Sequence, residues 1–207
     1  GYVYIVVFDL INILYEEKLN MRYYKKLLGE NIYLSPVNED DAEIFTKWMN
    51  DFGVTDYIGR SDAILTLSSE KEWLTSAISE KKYIFSIVKN EGDELIGNIE
   101  LNSVKHVDRT ATLGIMIGEN KERSKGYGLE AINLLLDFAF NYLNMNSVNL
   151  EVLEVNERAK RCYEKAGFKT FGIQRENKYI DGKYYNTIHM DILKEEFKGS
   201  YIKNKNL

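Results

Sequence analysis

The chain has 207 residues, 44% hydrophobic and 29% charged, with a formal net charge of −5. That length suits a single domain with a substantial core, and the acidic balance argues against broad nucleic-acid binding while mildly favouring cationic partners. A single cysteine, Cys162, excludes an internal disulfide framework, and no CxxC or clustered His/Cys set suggests zinc or another metal, so a reducing cytoplasm is the simplest location.

The opening run "YVYIVVFDLINIL" is strongly apolar, but Asp9 interrupts it and it falls short of a membrane span. No basic segment precedes it and no small-residue cleavage site follows, so neither an anchor nor a secretory signal is expected. Met21 offers an alternative start. Residues 1–20 are therefore read as an N-terminal extension, 21–198 as the domain and 199–207 as a C-terminal tail.

Asn31 to Ser35 alternates as a first strand, and Pro36 with Asn38 sets up a helix with Glu39, Asp40 and Asp41 in its first turn and Ile44, Phe45, Trp48 and Met49 on its buried face. A second helix is predicted from Ser69, with Glu72 completing a capping box and Trp73, Leu74, Ala77 and Ile78 turned inward. Strands follow at Tyr83 to Lys89, Leu95 to Leu101 and Thr112 to Ile117, the first two joined by the hairpin "NEGDE".

Next comes the most informative stretch, Arg123-Ser124-Lys125-Gly126-Tyr127-Gly128, between a strand and the amphipathic helix Leu129 to Asn144. Ile132, Leu135, Leu136, Ala139 and Leu143 form the apolar stripe of that helix. A helix N-terminus presents unpaired N–H groups and partial positive charge, and glycines let an anion approach the main chain, so the pattern describes a diphosphate cradle supplemented by Arg123 and Lys125. Gly126, Gly128 and Ala131 also spell GxGxxA with Glu151 downstream, the dinucleotide-binding fingerprint. Two features disfavour that reading: Glu119 to Lys125 intervenes between strand and glycine, and no strand-helix-strand alternation precedes it.

Val148 to Leu153 reads as a further strand, the segment from Asn156 as a short helix ended by Gly167, and "NKYIDGKYYNTIHMDIL" as two strands joined at Asp181-Gly182.

The spacing RxxGxG between strand and helix, followed by "NERAKRCYEKAGF", resembles the GNAT family of acetyl-CoA-dependent N-acetyltransferases over roughly Asn31 to Leu193. The resemblance implies an α+β fold: a mixed, mostly antiparallel sheet with splayed central strands, at 112 to 117 and 148 to 153, and helices on both faces. It implies that acetyl-CoA is the cosubstrate and an amine the acceptor. The CoA site would comprise the edge of the preceding strand at Ile115, Met116 and Ile117, the cradle Arg123, Ser124, Lys125, Gly126, Tyr127, Gly128 and Leu129, and Asn156 with Ala159 near the acetyl arm. It also allows a homodimer.

Acetyl transfer needs a neutral amine, oxyanion stabilisation and a proton for the departing thiolate. Tyr163 is the expected donor: a phenol with pKa about 10 stays protonated at neutral pH. A core tyrosine is the structural alternative, as a plain N-cap is for Asn156. Thr112 stands where relatives often carry a glutamate base, so Glu100, or His106 and Asp108 in the following loop, would accept the ammonium proton. A backbone N–H near Ile117 would serve the oxyanion. Cys162 has no evident activating histidine and reads as a packed thiol.

The segments "IGNIELNSVKHVDRTATLGIMI" and "YIDGKYYNTIHMDIL" look most like the branch containing ribosomal-protein N-terminal acetyltransferases and spermidine N-acetyltransferases. A polyamine or other small cationic amine, met by Asp56, Asp62 and Glu100, is favoured over a protein N-terminus; a non-catalytic acyl-CoA or amine-binding module is the alternative from another class. Tyr179, Tyr184 and Tyr185 either line an acceptor pocket or form cross-strand pairs.

Overall fold

The computed structural model describes residues 22–80 and 82–206, so the expectations for residues 1–20 and Met21 lie outside the described residues. The chain builds an eight-stranded sheet in the order β1-β2-β3-β4-β5-β6-β8-β7. The strands are β1 (Leu27–Leu28), β2 (Ile32–Pro36), β3 (Tyr83–Lys89), β4 (Leu95–Lys105), β5 (Thr110–Ile117), β6 (Ser147–Leu153), β7 (Lys169–Ile180) and β8 (Lys183–Leu193). Neighbours are antiparallel except β5 and β6, which are parallel.

Helices cover both faces. On one, α4 (Tyr127–Asn141) and α5 (Glu157–Ala166) pack through Ala131, Leu135, Ala139 and Tyr163 onto Ile99, Leu101, Leu113, Leu150 and Ile188. On the other, α1 (Ala42–Met49), α2 (Phe52–Ile58) and α3 (Leu67–Ser79) bring Phe45, Trp48, Val54 and Leu74 onto Tyr33, Val88, Leu95 and Met116. The period-2 alternation of β5 sends Leu113 to the first layer and Met116 to the second.

Capping differs from expectation at α3. The helix starts a turn earlier, because Thr66 Oγ1 accepts from Ser69 N at 3.1 Å while Ser69 Oγ accepts from Thr66 N at 3.0 Å. This box closes first, and the Ser69 and Glu72 pairing is not used. Trp73 and Ile78 remain 36% and 41% exposed, since only the narrow stripe Glu70, Leu74 and Ala77 is buried. At α1, Asn38 Oδ1 accepts from Asp40 N at 2.9 Å and starts a 3₁₀ turn, Glu39–Asp41, that runs into the helix.

Three features missed at the sequence level are β1, α2 and the role of the C-terminal segment. Asp51 Oδ1 accepts from Gly53 N at 2.8 Å to begin α2, and Gly59, at φ 68°, ends it; an N-cap and a left-handed glycine bracketing seven residues were the available signal. Within 199–206 the chain packs back onto the domain. Ile202 joins the core, and buried Asp137 of α4 accepts from Tyr201 N at 2.6 Å, Ile202 N at 3.0 Å and Lys205 Nζ at 2.7 Å. Two hairpins form as read: residues 90–93 turn β3 into β4, and Asp181 (φ 45°) with Gly182 (φ 77°) supply the paired positive angles of a type I′ turn between β7 and β8.

Candidate active site

The parallel β5–β6 ladder runs only from Thr110↔Ser147 through Ala111↔Val148 to Thr112↔Asn149. Beyond it the strands part, leaving the β5 edge from Leu113 to Ile117 without a β6 partner. Thr112 Oγ1 donates to Asn149 Oδ1 at 2.9 Å where they separate. Both C-terminal ends lead directly into the predicted site segments, the cradle after β5 and Asn156 after β6.

At the cradle, Gly126 is the residue before α4, with φ 92°, and no side chain caps the helix. Four other helical or 3₁₀ starts supply their own oxygen: Asn38, Asp51, Thr66 and Asn156 each accept a main-chain N–H. Among the described residues, the N–H groups of Ser124, Lys125, Gly126, Tyr127, Gly128 and Leu129 find no partner. Ser124 adopts φ 63°, so two left-handed residues alternate with right-handed or extended ones and form a concave set of donors.

Gly126 needs glycine for its dihedral, but Gly128 does not. A Cβ there would meet only Cys162 Sγ, at 3.9 Å, and the backbone is ordinary helix. Glycine inside a helix costs about 1 kcal/mol relative to alanine, so close approach of a ligand is the remaining reason for it. These residues fit a diphosphate. Glu130 fixes the first turn of α4 to β2 by accepting from Asn31 N at 2.9 Å and Ile32 N at 3.3 Å.

The two cationic side chains are engaged within the protein. Arg123 Nε donates to Ile117 O at 3.1 Å and Nη1 to Gly53 O at 2.9 Å. Lys125 Nζ pairs with the buried Glu122 carboxylate at 3.1 Å. The mobile positive charge expected of Arg123 is therefore held under α2, and the diphosphate fit rests chiefly on main-chain donors.

Asn156 caps α5 through Ala159 N at 3.2 Å and donates from Nδ2 to Tyr57 O at 3.0 Å. Ala159 and Tyr163 share its side of α5, packed against the α4 layer. Tyr163 is 7% exposed, its ring meets Phe168 edge-on at 6.0 Å, and its hydroxyl forms no hydrogen bond among the described residues. Burial raises its phenol above the ordinary value, with a smaller contribution from Cys162, so it stays protonated. Burial likewise raises the Cys162 thiol, which suits a packed thiol rather than a nucleophile.

Glu100 lies on β4 opposite Gly114, at the level where the wedge opens. Its side chain covers the space a Gly114 Cβ would fill, Oε1 lying 3.2 Å from that point, and it accepts from Asn102 Nδ2 at 2.7 Å. His106 and Asp108 are exposed in the turn that starts β5, at the opposite end of that strand from the cradle, and the structure does not bring them to the wedge. Asp56 lies on α2, and its Oδ1 accepts from Ser61 Oγ at 2.5 Å; Asp62 is exposed in the turn after that helix. Tyr179 and Tyr184 form an exposed cross-strand pair with rings 5.0 Å apart. No group of three or more metal-ligating side chains occurs among the described residues, and no described helix is long and apolar enough to cross a membrane.

A parallel pair opened beside a helix N-terminus with free amides gives a cleft with an anion seat at its mouth, the arrangement that the resemblance to the acetyltransferase family implied. Residues 31–169 match the acetyltransferase (GNAT) domain, and the chain belongs to that family, as an acetyl-CoA-dependent N-acetyltransferase. It is 28% identical over 171 residues to the spermidine N(1)-acetyltransferase of Escherichia coli (strain K12), spanning 82% of this chain and 89% of that one. It is 29% identical over 164 residues to the probable N-acetyltransferase YjcK of Bacillus subtilis (strain 168), covering 75% and 90% of the two chains. The crystal structure of spermidine N-acetyltransferase from Vibrio cholerae in complex with CoA and spermine superposes with TM-score 0.74 at 24% identity, over 80% of this chain and 97% of that one. That likeness shows the fold. The Escherichia coli and Vibrio cholerae proteins are spermidine acetyltransferases, the Bacillus subtilis one is described by its chemistry alone, and the ribosomal-protein branch is not represented among the three.

Proposed function

We propose that this N-acetyltransferase moves the acetyl group of acetyl-CoA directly to a primary amine of a polyamine. The observation that carries the donor half is the run of unpartnered amides from Ser124 to Leu129 beside the opened strands. They hold the diphosphate, and the free edge at Ile115, Met116 and Ile117 aligns the arm so that the thioester enters the wedge. Tyr163, protonated and without a competing hydrogen bond, delivers the proton to the leaving thiolate. Glu100 accepts the ammonium proton of the incoming amine, directly or through water.

For the acceptor, the acidic groups at and near the wedge, Glu100 and Asp56, suit a cation with several ammonium groups, as does the net charge of −5. The spermidine-acetylating relatives point the same way. Incubation with acetyl-CoA and a panel of polyamines, N-terminal peptides and aminoglycosides tests the reading. One acetyl group added to spermidine or spermine, with matching CoA release, supports it; acetylation of the peptides alone refutes the acceptor while keeping the chemistry.

A further inference from the structure

Helix α2 packs against both β5 and β6, the two strands that diverge, and so bridges the wedge. It is tied down at both ends by residues that follow those strands. After β5, Arg123 reaches from the cradle loop to Gly53 O at 2.9 Å, while its Nε holds Ile117 O at 3.1 Å. After β6, Asn156 Nδ2 reaches Tyr57 O at 3.0 Å, and the Arg158 guanidinium lies 5.9 Å from the centre of the Tyr57 ring. Val54, between the two ties, is buried in the second core.

We infer that Arg123 is a positioning residue for the acceptor: its guanidinium fixes α2 across the diverging strands as the wall against which the amine is presented, and it does not neutralise the diphosphate. The geometry requires two donors with fixed divergence aimed at carbonyls of two different elements, which a guanidinium provides and an ammonium does not. These two bonds use two of its five N–H groups and set where the guanidinium lies, beneath α2. Burial and the nearby Arg158 lower its pKa, while Asp51, Tyr57 and Glu119 oppose them, consistent with a charge withdrawn beneath α2. The same ties give the coenzyme segments a mechanical link to the acceptor side, since cradle, β5 end and α2 meet at one side chain.

This inference rests on the wedge being the site of transfer, and the test separates the two. Hydrogen exchange followed by mass spectrometry on wild type, Arg123→Gln and Arg123→Lys reads α2 without any turnover. Faster exchange at residues 53–59 in both variants is expected, with α4 and the sheet unchanged. In parallel, the KM for spermidine should rise about tenfold in both variants while the CoA dissociation constant by calorimetry moves less than about threefold. Unchanged exchange over 53–59 overturns the inference, as does a loss of CoA affinity that Arg123→Lys restores, because that result would make Arg123 a simple anion-binding charge. If wild type acetylates no polyamine yet the exchange result holds, the acceptor proposal fails and the positioning role of Arg123 stands.

Discussion

Thr112 Oγ1 donates to Asn149 Oδ1 at 2.9 Å, bridging β5 and β6 at the last register pair before they separate. Asn149 in turn donates from Nδ2 to Ala111 O at 3.2 Å, so the crotch of the wedge is laced by side chains as well as by the ladder. Thr112 occupies the position where a general base was expected from the family, and here its hydroxyl is committed to holding the strands. Thr112→Val keeps the shape and removes the donor, which should cost about 1 kcal/mol and lower the melting temperature by about 2–4 °C in calorimetry. A fall in kcat matching the loss of a base, about a hundredfold, would contradict this structural assignment.

Among the described residues only Cys162 Sγ, at 3.9 Å, comes near the place of a Gly128 Cβ, so we propose that the glycine serves the approach of the ligand. Gly128→Val should weaken CoA binding by more than about tenfold in calorimetry, as a branched side chain stands in the anion's approach, while thermal stability is little changed. Retained affinity would move the diphosphate away from the start of α4.

Tyr163→Phe removes the proposed proton donor and little packing. We expect kcat to fall by about 10²-fold with acetyl-CoA affinity nearly intact. Because burial holds the phenol above its ordinary value, the wild-type rate should show no loss of acid function through pH 9. Unaltered turnover in the variant would remove Tyr163 from the chemistry.

Asp137 links the C-terminal segment to α4. Burial alone would raise its carboxyl, but hydrogen bonds from Lys205, Asn141 and the amides of Ile202 and Tyr201 outweigh it and hold the group below its ordinary value. A folded-state pKa depressed in this way contributes stability above the unfolded carboxylate range, about pH 4, and that stability is lost as pH falls through the lower folded value. Amide protection at residues 201–202 should therefore decline in acid. Asp137→Asn should destabilise the fold by about 2–4 kcal/mol and flatten that pH dependence, readable by urea unfolding at pH 7 and pH 3.

The sequence by itself settled whatever depends on local order. Alternation of Leu113, Ile115 and Ile117 marked β5, the stripe from Ile132 to Ala139 marked α4, and Gly167, at φ 102°, ended α5 where a left-handed cap was expected. The cradle was legible for the same reason: a glycine-rich break before a helix is a short-range backbone property. Tertiary structure alone decided what each side chain touches. Arg123 looked like charge for a phosphate and instead grips carbonyls at Ile117 and Gly53, the latter 70 residues away in the chain. Asn156 reaches Tyr57, 99 residues away, and Thr112 meets Asn149, 37 residues away. Such pairings are fixed by how sheet and helices pack in three dimensions, and no period in the sequence encodes them; that is why the glycine-rich break before α4 could be read from its motif while the ties that hold α2 across β5 and β6 could not.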